Sequence, residues 1–256
     1  MASLIQPRRV PASHGARWIV SGMHAVLHSP IGWFSTQIAW FAFLMLCSML
    51  PMAGPVAFSL SLPAFFAGMM IGCRTIEEGR SLRINHLFSG LKIQPKRLFQ
   101  LGMVNIAGET LLTLILVLWG GQQVIALENL SMDGAANLEQ LQAAIFSLTP
   151  LFVTLALIQI ALLMMGWFAP ALLVFTPLST AEALTLSSRG CLINLPAFLL
   201  YTLIMGSLLF AVTLVAFALP LISGLLTLVI VAIIIASVYA SYQDVFGATA
   251  SSVSAP

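Results

Sequence analysis

Charged residues are scarce in this chain of 256 amino acids. Lysine, arginine, aspartate and glutamate together make up 7% of it, whereas soluble domains carry about 25%. So few charges cannot cover a folded surface with polar groups, and 60% of the residues are hydrophobic, with a mean hydropathy of +1.04. The shortage of charge excludes a water-soluble globular protein and predicts an integral membrane protein.

The residues that catalysis and metal binding require are also few. The four histidines all lie outside the long apolar runs: His14, His24, His28 and His86. They offer no partner for a serine nucleophile at membrane depth, and neither a His-Glu-x-x-His helix nor a glycine-rich phosphate loop occurs. The three cysteines are isolated and predict small apolar side chains rather than a disulfide: Cys47, Cys73 and Cys191. The sequence therefore predicts no enzyme, no cofactor and no metal site.

Glu77 and Glu78 form the one adjacent acidic pair, and Arg74, Arg80 and Arg83 surround it. Two carboxylates could hold a divalent cation. The neighbouring arginines favour a local salt-bridge cluster instead, and the metal site is the alternative.

Long apolar runs dominate what is present. A helix needs about 20 apolar residues to cross a bilayer. Six stretches meet this length: Ile31–Leu50, Met52–Cys73, Leu98–Trp119, Ile145–Val174, Ala197–Leu219 and Leu221–Tyr242. Pro150 and Pro170 should trim or kink the overlong fourth stretch, and tight turns are expected at Leu50–Pro55 and Leu219–Gly224.

The predicted fold class is therefore all-α, a bundle of six transmembrane helices. We expect a cytoplasmic N-terminal segment with an amphipathic helix at 1–30, the transmembrane domain at 31–243 and a flexible cytoplasmic tail at 244–256.

The basic residues are distributed unevenly along the chain. Residues 1–30 contain three, residues 74–97 contain six, and the loop that joins the third and fourth spans carries only the acidic Glu128, Asp133 and Glu139. Lysine and arginine near helix ends favour the cytoplasmic side. Both termini and the 74–97 loop are therefore predicted to be cytoplasmic.

Three shorter segments have amphipathic patterns: Ser13–Ser29, Ser81–Gly90 and Ser179–Leu192. The second places Ile84, Leu87 and Phe88 on one stripe, and the third opens with a capping-box pattern of Ser179 and Glu182. Each segment lies along the inner leaflet or connects spans while packed on the bundle; both alternatives are open.

The order of segments at 13–74 recurs at 179–243. Each stretch contains an amphipathic segment, a proline, a span, a turn and a second span. Both would begin and end on the same side, which favours a parallel internal repeat as a hypothesis, unlike the inverted repeats of many transporters.

Glu109 lies near the middle of the third span. Asn105 and Thr113 are one helical turn to either side and form a polar stripe with it, and Gln159 and Gln37 lie at similar depth in other spans. An acidic residue at this depth costs about 3 kcal/mol on insertion scales. It predicts either a proton- or cation-linked site or a neutral glutamic acid that hydrogen-bonds between helices.

Small residues recur along the second span, at Gly54, Ala64, Gly68 and Gly72. Such residues allow helices to approach closely. Packing within one chain and dimerisation are both compatible with the pattern.

Four ordered blocks of sequence resemble one family: Arg8–Phe34, Ser61–Lys92, Trp167–Tyr201 and Ala236–Gly247. This is an uncharacterised family of proteobacterial multi-pass inner-membrane proteins. The resemblance implies a helical protein of the bacterial inner membrane and brings no activity, cofactor or site residue with it. Residues 120–145 fall outside it, and Gln243 stands where the last block would have arginine.

Two functions from different classes follow as expectations. In the first, the chain binds or translocates a small or lipid-like ligand within its bundle, with polar contacts from Glu109, Asn105, Gln159 and Gln37. In the second, it is a membrane scaffold or assembly protein. Contacts to anionic lipid or a partner would then come from the basic loop: Arg74, Arg80, Arg83, Lys92, Lys96 and Arg97. The expected partners are membrane lipids, with a second copy or another membrane protein left open and no nucleic acid.

Overall fold

A computed structural model describes residues 5–132 and 138–253. Every regular element among these residues is helical, which confirms the all-α prediction. The α-helices are α1 His14–His28, α2 Pro30–Ser48, α3 Ala53–Glu77, α4 Ser89–Ile93, α5 Pro95–Met132, α6 Leu138–Ser147, α7 Thr149–Trp167, α8 Ala169–Phe175, α9 Thr180–Ile193, α10 Leu195–Ala218 and α11 Pro220–Val253. A short 3-10 helix, Ile84–Phe88, precedes α4.

Six helical stretches are long and apolar enough to cross a membrane, as predicted: Pro30–Ser48, Ala53–Glu77, Pro95–Asn129, Thr149–Phe175, Leu195–Ala218 and Pro220–Gly247. Both predicted turns are also present. Residues 49–52 separate α2 from α3, with Met52 at φ 62°, and Leu219 alone separates α10 from α11.

The fourth span is interrupted where proline predicts it. Phe168 lies between α7 and α8, and Pro170 occupies the first turn of α8. Ser187 of α9 is inserted at the break: its Oγ accepts a hydrogen bond from Phe168 N at 2.9 Å and donates one to Met164 O at 2.7 Å. These two backbone groups are four residues apart and would bond directly in an uninterrupted helix.

The segment after the third span differs from the prediction. It was expected to be a loop from residue 120, but α5 continues to Met132, and α6 follows at Leu138–Ser147. A glycine in a helix costs only about 1 kcal/mol, and Gly120 packs so closely on Leu151 that a Cβ there would collide with it. Glu128 and Glu139 are thus helical, and Asp133 lies outside the described residues.

The C-terminal boundary also differs from the prediction. A flexible tail was expected from residue 244, but α11 continues to Val253. Val245 and Phe246 are each only 1% exposed, because they pack into the core rather than face solvent. Residues 254–256 lie outside the described residues.

The chain forms two compact units. One comprises the described residues of Met1–Met103 and Met164–Pro256, and the other comprises those of Val104–Leu163. The first unit has an aromatic-rich core, with Trp18, Trp33, Phe65, Phe168, Tyr242 and Phe246 among its most deeply buried side chains.

The helices in the hypothesised repeat follow the same order. A short helix is joined to a spanning helix through one buried polar residue, Ser29 between α1 and α2 and Asn194 between α9 and α10. A hairpin turn and a second long helix follow in both. This shared order fits a parallel repeat, which stays a hypothesis.

Candidate functional site

Helix α1 packs on α10 and α11 through a face of small residues. A Cβ at Gly15 would collide with the carbonyl oxygen of Ala197, and one at Gly22 would lie 2.7 Å from that of Ile233. Trp18, between the two glycines, is 2% exposed. Since Val20 and Leu27 on the same helix are 48% and 67% exposed, α1 is packed on the bundle and also presents apolar side chains outwards.

The small-residue face of α3 contacts the segment that follows it. A Cβ at Gly68 would lie 2.5 Å from the carbonyl oxygen of Leu87, and one at Gly72 would collide with Leu82. Leu82 and Leu87 are 3% and 1% exposed. The three residues of the predicted apolar stripe do not share one environment at this contact. Leu87 is buried, whereas Ile84 and Phe88 are 43% and 40% exposed.

We refer to residues 78–97 as the basic segment. Beside the acidic Glu78 and the polar Ser81 and Asn85, its exposed side chains include a set of cationic and apolar ones: Arg80, Arg83, Ile84, Phe88, Leu91, Lys92, Ile93 and Lys96. Mixed basic and apolar exposure is typical of chain segments that lie at a membrane interface.

A pocket with a volume of about 570 Å³ lies between the start of the basic segment and the junction of α1 with α2. Its polar lining consists of His28, Ser29, Ser35, Ser81, Arg83 and Asn85, and its apolar lining includes Ile31 and Ile84. Ser29 fixes the two walls together, since its Oγ accepts a hydrogen bond from Leu82 N at 3.1 Å. Gly32 permits this approach, because a Cβ there would collide with the carbonyl oxygen of Leu82.

The predicted salt-bridge cluster forms in part. Glu78 pairs with Arg80 and, at 3.4 Å, with Arg74. The hydrogen bond from Arg80 lowers the pKa of the Glu78 carboxyl below its ordinary value. Among the described residues, Arg83 forms no ion pair.

Glu77 interacts with α11 instead of the arginines. Tyr239 donates its hydroxyl proton to Glu77 Oε2 at 2.7 Å, and Gln243 Nε2 donates to the Tyr239 hydroxyl at 2.7 Å. Gln243, the residue that departs from the family block, therefore bonds into a chain that joins α3 to α11. The described residues contain no group of three or more metal-ligating side chains.

A second polar cluster fastens the N-terminal residues to the end of α11. The Asp244 carboxylate accepts from Arg8 Nη2 at 2.6 Å and from Trp18 Nε1 at 2.9 Å, and it lies 2.6 Å from His14 Nδ1. Asn194 extends the contact, because its Oδ1 accepts from Val10 N at 2.7 Å. The Asp244 side chain is only 16% exposed, and its polar groups bond to the chain itself, so this cluster is structural.

Sequence reasoning did not single out Asp244, Asn194 or Ser187. The available signal was an acidic residue at the end of an apolar run that contains no other charge. A carboxylate in such a position requires a cationic or hydrogen-bonding partner, but the sequence does not say that Arg8, 236 residues away, supplies it.

The four residues predicted to contact a ligand at membrane depth occupy different settings. Gln37 is buried and donates to Leu228 O at 2.6 Å in the first unit. In the second unit, Asn105 is half-buried, while Glu109 and Gln159 are exposed. Thr113 Oγ1 donates to the backbone oxygen of Glu109 at 2.9 Å. A ligand site built from these residues stays a prediction.

The remaining basic residues named by the sequence also have distinct positions. Arg74 lies over the Phe175 ring, 5.5 Å from its centroid, Lys92 and Lys96 are exposed, and Arg97 is half-buried. The carbonyl oxygen of Arg97 accepts a hydrogen bond from Thr180, whose neighbour Glu182 completes the predicted capping box with Ser179. These hydrogen bonds from Ser179 lower the pKa of Glu182.

The fold and these contacts define a class: a multi-pass helical membrane protein in which polar clusters around Glu77 and Asp244 join its own helices. Within that class, the chain is similar to a protein of Burkholderia thailandensis named "probable inner membrane protein". The two are 26% identical over 255 aligned residues that cover 93% of each chain.

No family model matches the chain, and no solved structure matches it. The likeness to the Burkholderia protein confirms the predicted resemblance to uncharacterised proteobacterial inner-membrane proteins. Together with the six candidate spans, it identifies a multi-pass protein of the inner membrane.

Proposed function

We propose that this chain is a non-enzymatic inner-membrane protein that binds a lipid-like ligand with an anionic head at its basic segment. In this proposal the basic segment and both termini face the cytoplasm, as the distribution of lysine and arginine favours. The ligand is held at the end of the spans rather than at mid-membrane depth.

The observation that carries the proposal is the composition of the exposed surface of the basic segment. Ile93 is 51% exposed beside the exposed Lys92, and Leu91 is 43% exposed. Water disfavours such apolar groups, whereas the headgroup region accepts both the apolar side chains and the cations. Each basic residue near an anionic leaflet adds about 1 kcal/mol of attraction.

Lipid analysis of the protein extracted with its native lipids in polymer-bounded discs tests this function. Anionic lipids should be enriched severalfold over the bulk membrane, and the double variant Lys92→Gln/Lys96→Gln should reduce the enrichment. Arg189→Gln is the control, because it removes an exposed cation outside the segment. Lipids that mirror the bulk composition in all three proteins would contradict the proposal.

A second candidate function is a site linked to protons or cations at the polar stripe of α5, formed by Asn105, Glu109 and Thr113. Glu109 lies at the surface of the chain, and an ionisable group at this depth requires water or a polar partner rather than lipid. A water-accessible site linked to protons or cations would meet that requirement. A cysteine introduced at Asn105 should then react with a membrane-impermeant thiol reagent in the purified protein. A site that serves only to join helices would leave that cysteine unreactive.

A further inference from the structure

We infer that the pocket between residues 81–85 and the α1–α2 junction binds the phosphate group of an anionic phospholipid. This inference rests on the proposed function and assigns its ligand a head-group chemistry and a position. Five features of the pocket support it: its charge, its hydrogen-bond donors, the helix that begins in its wall, its apolar rim and its size.

The charge of the pocket is positive. Arg83 lines it, and no aspartate or glutamate does. The nearby arginines Arg74 and Arg80 are paired with Glu78, whereas Arg83 has no ion-pair partner among the described residues. An unpaired guanidinium offers several N–H donors in a planar arrangement that fits phosphate oxygens.

A buried donor in the wall remains unused. Ser29 is 6% exposed, and its Oγ already accepts a hydrogen bond from Leu82 N. Within the described part of the chain, no acceptor receives its hydroxyl proton. Because a buried hydroxyl normally donates as well as accepts, this proton indicates a ligand that supplies an acceptor.

Helix α2 begins in the same wall, with Pro30 at its first position. The amide groups of a helix's first turn have no carbonyl partner within the helix, and the helix dipole places partial positive charge there. Ile31 and Gly32 of this turn line the pocket. Their amides therefore add to the positive electrostatic potential that Arg83 creates in the pocket, and the proposed site does not depend on them alone.

The matching junction between α9 and α10 differs in the use of its polar residue. Asn194 Nδ2 donates to Arg8 O at 2.9 Å and to Gly190 O at 3.0 Å, while its Oδ1 accepts from Val10 N. The chain itself thus saturates the side chain at that junction. Ser29 at the first junction retains a donor for a molecule from outside.

The rim of the pocket favours a lipid as the source of the phosphate. Ile31 is 84% exposed and Ile84 is 43% exposed, so both present apolar surface next to the polar lining. A volume of about 570 Å³ falls within the usual range of about 300–1,000 Å³ for small-ligand sites. A headgroup fits inside it, with acyl chains against the two isoleucines.

Native mass spectrometry of the full-length protein, titrated with phosphatidylglycerol in detergent, tests the inference. Arg83→Gln should weaken binding about tenfold, as loss of one hydrogen bond to a charged group does. Ile31→Glu should weaken it similarly by adding negative charge at the mouth; the fold tolerates this change because Ile31 is exposed and acidic residues stabilise helix N-termini. Arg189→Gln is the matched control, because it removes an exposed arginine outside the basic segment, and it should bind like the wild type. Inorganic phosphate alone, followed through its effect on thermal stability, forms a separate arm.

The possible outcomes distinguish a failure of the pocket inference from a failure of the proposed function. Lipid binding lost in Arg83→Gln and Ile31→Glu but kept in Arg189→Gln supports the inference. Equal lipid binding by all four proteins overturns the pocket and leaves the proposed function standing. Stabilisation by inorganic phosphate that depends on Arg83, without lipid binding, overturns the lipid as ligand and the proposed function with it. Binding of neither ligand overturns both.

Discussion

At the residue scale, single buried polar side chains replace backbone partners that the helices lack. Ser187 is fully buried and satisfies both the amide of Phe168 and the carbonyl of Met164 at the break in the fourth span. Unpaired backbone groups are expensive in an apolar interior. One hydroxyl therefore allows Pro170 to redirect the chain without leaving two such groups unsatisfied.

Ser187→Ala should destabilise the protein by about 2 kcal/mol, because a buried donor and a buried acceptor each lose a partner. Thermal unfolding of the purified protein, followed by tryptophan fluorescence, measures the change. Ser188→Ala is the control, since the Ser188 hydroxyl only bonds back to Leu184 O within its own helix. If the two variants unfolded at the same temperature, the bridging role of Ser187 would be wrong.

Asp244→Asn should also destabilise the protein by about 2 kcal/mol, because hydrogen bonds to a charged group contribute more than neutral ones. The same unfolding measurement applies. Glu78→Gln is the matched carboxylate-to-amide change, and its exposed ion pairs should contribute nothing measurable. A larger loss in Glu78→Gln than in Asp244→Asn would contradict the assigned roles of the two clusters.

At the scale of elements, the small-residue face of α3 determines where the basic segment lies. Gly68 and Gly72 admit the backbone and side chains of residues 82–87 at distances that a Cβ would not allow. The packing holds Arg83 and Ile84 at the pocket, so the glycines position the candidate site without contacting a ligand.

Gly68→Ala should destabilise the protein by about 1–3 kcal/mol, the usual effect of overpacking, and should weaken phosphatidylglycerol binding together with it. The new Cβ meets two backbone carbonyl oxygens, those of His86 and Leu87, which cannot rotate away. Gly206→Ala provides the control, because a Cβ there has open space and alanine favours a helix. Unchanged stability and lipid binding in Gly68→Ala would show that the segment does not depend on this contact.

The sequence predicts the elements well where the signal is local. Long apolar runs specify six spans. Pro170 interrupts the fourth span within a few residues of its own position, and Ser179 and Glu182 cap the start of α9. The segment that packs on the small-residue face of α3 is determined by tertiary contacts. Gly68 and Gly72 indicate that another part of the chain comes close, but they do not identify which part. The same limit applies to the error after residue 120, because the sequence does not show that Gly120 of the continuing helix packs closely on Leu151.

At the scale of the whole molecule, the charge distribution and the helix lengths predict how the chain crosses the membrane. Helix α5 has 38 residues, so its length is about 57 Å at 1.5 Å per residue, well beyond a hydrocarbon core of about 30 Å. Its first turn carries Lys96 and Arg97, and its far end carries Glu128. Because lysine and arginine favour the cytoplasmic side, we expect the basic segment on the inner side of the bilayer and the acidic region, one predicted span further along the chain, on the outer side.

Single-cysteine labelling in intact cells tests that orientation. A cysteine at Glu139 should react with a membrane-impermeant maleimide, whereas one at Lys92 should react only after permeabilisation; both native side chains are exposed. The native thiols give little background, because Cys47, Cys73 and Cys191 are buried and burial raises the pKa of Cys191 to about 12. The reverse pattern would move the basic segment to the outer leaflet. The pocket and its phosphate ligand would then belong to the periplasmic side, since Arg83 and Lys92 lie on one segment that no span interrupts.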